Sequence, residues 1–163
     1  MRKSSWGLLL LLVYGLSAPA ADPAPNGIQL PEGFRDWRLI AIDQRTDNQT
    51  LRAILGNDIA IQAARGARTQ PWPDGAILAK LVWKTGTHPL WPAATIPADF
   101  VNADFMIRDQ ARFASTGGWG FARWLGTAQT PYGKDAEFAQ ACFACHTVAK
   151  SAGYVFTQPA ALP

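Results

Sequence analysis

The amino-acid sequence predicts an α+β fold that is mainly β: an antiparallel sheet packed with a few helices, with a Cys-x-x-Cys-His motif on a C-terminal helix. Three observations predict it. Short runs of alternating apolar residues recur along the chain, which is the period of strands with one buried face. The 12 prolines and 14 glycines among 163 residues interrupt those runs too often for the long apolar-striped helices of a bundle. The late stretch with a clear helix start runs directly into Cys142-Phe143-Ala144-Cys145-His146.

Residues 1–20 read as a secretory signal peptide. Arg2 and Lys3 precede the apolar stretch Trp6–Gly15, and small residues follow at Ala18, Ala20 and Ala21. The apolar stretch is short for a membrane span. Residues 21–29, rich in proline, then form a flexible leader, and residues 30–163 a single compact domain. The whole chain has 15 basic and 12 acidic side chains, and loss of Arg2 and Lys3 leaves 13 against 12. So small an excess gives no reason to expect a nucleic-acid partner.

Trp37–Ile42 and Thr50–Leu55 read as strands, the second short enough to be read either way. Asn57 or Asp58 is placed to cap a short helix over Ile59–Arg65 that Gly66 ends. Pro71–Gly75 is a turn leading into a strand over Ala76–Lys84. There Ile77, Ala79, Leu81 and Trp83 point one way, and Leu78, Lys80, Val82 and Lys84 the other. Gly86–Pro97, with three prolines, is expected to be an irregular surface loop. Phe100–Ile107 and Trp119–Leu125 read as strands, with a bend over Gln110–Ser115 between them. Asp135 is the expected N-cap of a helix over 136–141 that presents the motif at its end.

Cys142 and Cys145 are the only cysteines. Two thiols on one helical turn followed directly by an imidazole suit covalent attachment of one c-type haem, with His146 aimed at the iron. A closed zinc site needs further ligands, and only His88 could supply one. A dithiol redox pair normally accompanies a βαβ pattern, which is missing here, and a disulfide across so short a loop is strained. In a bacterium, export puts the chain in the periplasm, where such haem is attached. The motif is near the C-terminus, with seventeen residues after it and no methionine among them. That placement is similar to cytochromes c′, which leave one iron position open, but those are four-helix bundles. His88 and Met106 are the remaining candidates to close the iron. Trp37, Trp83, Trp119 and Trp124 fit core or interface roles.

Several segments occur in the order found in the cytochrome P460 family: Phe34-Arg35-Asp36-Trp37, Leu51-Arg52-Ala53-Ile54-Leu55, Asp74-Gly75 followed by Lys80, Arg108–Ala114, Gly118-Trp119-Gly120-Phe121, the Cys142–His146 motif and Val155-Phe156-Thr157. The chain resembles that family, including its cytochrome c′-beta members, over nearly all of Leu30–Pro159. The resemblance implies a five-coordinate haem on a mainly antiparallel sheet, in a homodimer. It implies His146 as proximal ligand and Cys142 and Cys145 as thioether attachments. Lys80 matches the lysine that P460 enzymes link to the porphyrin edge, with Lys84 a less well-matched rival. A lysine reaching to solvent from a strand face is the plainer reading.

On the open side of the iron the resemblance matches Asp104 to a distal glutamate and Arg52 to a pocket arginine. Asp104 is one methylene shorter than glutamate. In c′-beta relatives a phenylalanine covers the iron, and Phe105 and Phe100 are the candidates. Phe105 and Asp104 point to opposite faces of a regular strand, so one of them at most can line the pocket unless a bulge intervenes. An Asp104 and Arg52 pocket implies oxidation of hydroxylamine, with nitric oxide as co-substrate and a redox protein taking the electrons. A Phe105 pocket implies binding of nitric oxide, or electron transfer, without turnover.

Overall fold

The structure, a computed structural model, describes residues 21–161; the signal segment 1–20 lies outside the described residues. Its frame is a six-stranded sheet in which each strand pairs with the next in sequence, all antiparallel. The strands are Arg38–Arg45 (β1), Thr50–Gly56 (β2), Ile77–His88 (β3), Trp91–Arg108 (β4), Trp119–Leu125 (β5) and Thr130–Pro131 (β6). Asp58–Arg65 (α1) connects β2 to β3, and Phe138–His146 (α2) follows β6. The mainly β, α+β expectation holds, with the motif on the C-terminal helix.

Alternation along the strands divides the side chains between two cores. On one face Ile54, Leu78, Trp119 and Phe121 pack under α1 and α2, with Met106, Cys142 and Phe143 against them. On the other, Leu55, Ala79, Ala103, Phe105, Ala122 and Trp124 are covered by Ala24, Ile28 and Phe34. Burying each large aromatic contributes on the order of 2–3 kcal/mol. α1 starts where expected: the Asn57 side chain accepts the Ala60 N–H at 3.0 Å and also the Ile77 N–H at 3.1 Å, tying the helix start to β3.

Three expectations are corrected. The segment 21–29 is packed rather than loose, because Ala24 and Ile28 are buried, Trp124 Nε1 donates to the Asp22 carbonyl at 3.0 Å and Asn26 Nδ2 to the Phe121 carbonyl at 2.8 Å. The stretch 86–97 is not an irregular loop. It forms the outer part of a β3–β4 hairpin that turns between His88 and Trp91, its prolines accommodated by register shifts at Trp83/Thr85 and Thr87/His88. Finally, α2 begins at Phe138, and Asp135 caps only the turn before it by accepting the Glu137 N–H at 3.0 Å. The helix carries Cys142–His146 at its C-terminal end, as expected.

Candidate functional site

The motif helix α2 is apolar in sequence, yet none of its residues is buried. Cys142 is half-buried and Cys145 exposed, both as free thiols. An apolar helix only partly covered, with Ala141, Ala144 and Cys145 exposed, marks a surface that another apolar body can cover. The chain following it adds Val148 and Phe156, exposed at 83% and 55%.

His146 is held from several sides. Its ring lies 5.1 Å from both Phe121 on β5 and Phe156. Its Nδ1 is 2.7 Å from the Tyr154 carbonyl. A carbonyl only accepts, so Nδ1 carries the proton and Nε2 keeps the lone pair a metal needs. Burial pushes the imidazole below its ordinary value of 6.5, only partly offset by the Tyr154 hydrogen bond, so the ring is neutral and ready to ligate. Gly153 and Tyr154 both adopt left-handed backbone, φ 67° and 66°, which costs the tyrosine about 1–2 kcal/mol. Trp119 Nε1 pins the bend by donating to the Gly153 carbonyl at 2.9 Å. Gly117 lets the Tyr154 ring approach, since a Cβ there would lie 2.5 Å from Cε2.

Facing the motif, the sheet carries a charged row. Lys80 on β3, Asp104 on β4 and Arg123 on β5 stand directly opposite one another in register. Lys80 Nζ is 2.8 Å from Asp104 Oδ2, and Arg123 Nε donates to Oδ1. The side chains are 32%, 16% and 33% exposed, and the Arg123 guanidinium lies 4.9 Å from the Tyr132 ring centre. Burial alone would raise the Asp104 carboxyl. The Lys80 charge, with the hydrogen bond and charge of Arg123, outweighs burial and holds it below 3.8. Burial raises the Cys142 thiol, with the Arg123 charge opposing. The charges of Lys80 and Asp104 act on both Cys142 and His146, so the row and the motif lie near one another.

Arg52 points to the same face but one step along, opposite Val82. It meets Asp43 at 3.6 Å, and its Nε is buried without a partner, as is Asn102 Nδ2. Asp104 is thus held by Lys80 and Arg123, not by Arg52. Phe105 is 1% exposed on the opposite face, edge-on to Phe34 and Trp124 at 5.2 and 5.5 Å. Phe100 packs on Trp83 at 5.6 Å, also on that face. Met106, opposite Leu78, packs into the core under α2. His88 sits at the hairpin turn, where Nδ1 accepts the Leu90 N–H at 3.2 Å. Lys84 is exposed and opposite Thr50. Arg123 escaped sequence reasoning, although its signal matched that of Lys80: a charge in a strand between Phe121 and Leu125, on their face.

Two clefts of about 490 and 330 Å³ lie away from the charged row, one between α1 and Pro159, the other beside Tyr154 and Arg108. Among the described residues no group of three His, Cys, Asp or Glu side chains is arranged to hold a metal ion, so a zinc site lacks a ligand set. The donor set suits a haem instead: two thiols on one turn, an imidazole with Nε2 free, and apolar surface at α2 and Phe156 for a porphyrin to cover. A comparison with curated proteins gives no match. The family model described as Cytochrome P460 matches residues 31–157, most of the chain and the whole of this site, and the chain accordingly belongs to the cytochrome P460 family.

Proposed function

We propose that this chain is an exported, periplasmic mono-haem c-type cytochrome that oxidises hydroxylamine, with nitric oxide as co-substrate, at an open iron position. The observation that carries the reading is the Lys80–Asp104–Arg123 row facing the motif helix, while Phe105 and Phe100 face away. When bound, the haem would supply the redox chemistry for a small nitrogen compound. Cys142 and Cys145 would anchor it and His146 would hold it through Nε2. Asp104 is an ionised carboxylate that can accept a proton from a nitrogen compound. In this reading Lys80 would link to the porphyrin edge, and Arg52, one step along, would bind an anionic or nitrogen-oxide group. Electrons leave to a redox partner protein. The exposed apolar Ile42, Leu90 and Trp91 support assembly as a homodimer.

A second reading has its own support. A carboxylate with both oxygens on cations, held below its ordinary value, is a weak base, which favours a protein that binds nitric oxide or transfers electrons without turnover. The two separate in one experiment. Ferric holoprotein given hydroxylamine and nitric oxide without oxygen is expected to form nitrous oxide, with Asp104→Asn reducing the rate by about 10²-fold or more. No nitrous oxide from the wild type, with nitric oxide still bound, establishes the second reading.

A further inference from the structure

Arg123 belongs to no motif, yet the sheet places it against the carboxylate on which the chemistry turns. Asp104 has two oxygens, and its two partners hold them differently. Lys80 reaches Oδ2 at 2.8 Å through one flexible chain. Arg123 reaches Oδ1 from the residue directly opposite on β5, and its planar guanidinium is braced 4.9 Å over Tyr132. A planar, always charged group stacked on a ring loses little entropy in holding a carboxylate, whereas an ammonium on four methylenes is easily withdrawn. When Lys80 moves, Asp104 keeps a charged partner and is not left as an unpaired buried charge.

We propose that Arg123 is the positioning residue for Asp104: it fixes Oδ1 so that Oδ2 is the oxygen presented to an N–H donor of a small nitrogen compound, with Lys80 occupying that place until it is joined to the porphyrin edge. This rests on the hydroxylamine reading of the same site. The other groups around Asp104 are consistent with the division of labour. Cys142 and His146 from α2 are assigned to the haem and bring no cation to the carboxylate, and Tyr132 acts only through Arg123.

The test uses the ferrous carbonyl holoprotein, which is diamagnetic, labelled with ¹³C at aspartate carboxyls; Asp104→Asn identifies the Asp104 signal. Wild type and Lys80→Met are expected to show one sharp signal, because Arg123 still fixes the side chain. Arg123→Lys keeps the charge but loses the planar fork, and a broadened or split signal is expected. Arg123→Gln adds a rise in titration midpoint of about one unit, roughly tenfold in proton affinity, which Arg123→Lys partly restores. A single sharp signal in Arg123→Lys overturns the proposal, and this variant decides even where Arg123→Gln does not fold. The C–O stretch of the same samples reads whether Asp104 senses the iron ligand. A stretch blind to Asp104→Asn strikes the hydroxylamine reading while leaving the positioning result standing.

Discussion

Replacing Phe105 with leucine separates the two faces of the sheet. The side chain is 1% exposed and makes edge contacts with Phe34 at 5.2 Å and Trp124 at 5.5 Å. Each such contact contributes about 0.5–1.5 kcal/mol beyond area burial, so their loss costs about 1–3 kcal/mol with much of the apolar volume kept. For a domain of this size that lowers the unfolding midpoint by about 3–10 °C. The assay is thermal unfolding of the holoprotein, paired with nitric oxide association to the ferrous form. We expect the melting shift with association unchanged within about twofold, because the ring lies across the sheet from α2. A tenfold change in association with little loss of stability would put Phe105 over the iron and refute the assignment of faces.

Further expectations concern the other face. Asp104→Asn removes a half-buried carboxylate from two cations and should cost about 1–3 kcal/mol at neutral pH, the lower end reflecting solvent screening. The folded carboxyl titrates below its ordinary 3.8, so this contribution is fully present above the unfolded value and lost as pH falls through the folded one. Urea midpoints of wild type and Asp104→Asn should differ at about pH 6 and converge as pH falls below the carboxyl's ordinary 3.8 and through its folded value; a constant gap contradicts the ionised pair. Gly117→Ala puts a Cβ against the Tyr154 ring at a φ of 67°. It should destabilise by about 1–2 kcal/mol and lower the iron–histidine stretching frequency of the ferrous protein by weakening the carbonyl bond to His146; an unchanged frequency would show the bond to be idle. In a Lys80→Ala background, Cys142→Ala with Cys145→Ala should abolish haem retention on a denaturing gel, and retention there would deny thioether attachment.

Much of this was legible because alternation in a meander is a local signal. The 76–84 stretch already divided Lys80 from Ile77, Ala79 and Leu81, and the structure keeps that division across four strands. The motif was legible because its chemistry lies within five consecutive residues. What escaped depends on contacts distant in sequence. Arg123 gains meaning only when β5 pairs with β4 and sets it opposite Asp104. Tyr154 matters through its carbonyl, which no side-chain pattern reveals. Ala24 and Ile28 read as leader because the face they cover, around Trp124, is about a hundred residues away. The 86–97 stretch misled for another reason: proline forbids regular pairing but not a hairpin arm that slips register around it.

The haem is expected to lie against the face carrying Lys80 and Asp104, and the optical spectrum of the dithionite-reduced holoprotein reads this. With Lys80 joined to the porphyrin edge, the main band should be strongly red-shifted from that of an ordinary c-type haem and return to the ordinary position in Lys80→Ala. An ordinary c-haem band in the wild type, unaltered by that substitution, would contradict it.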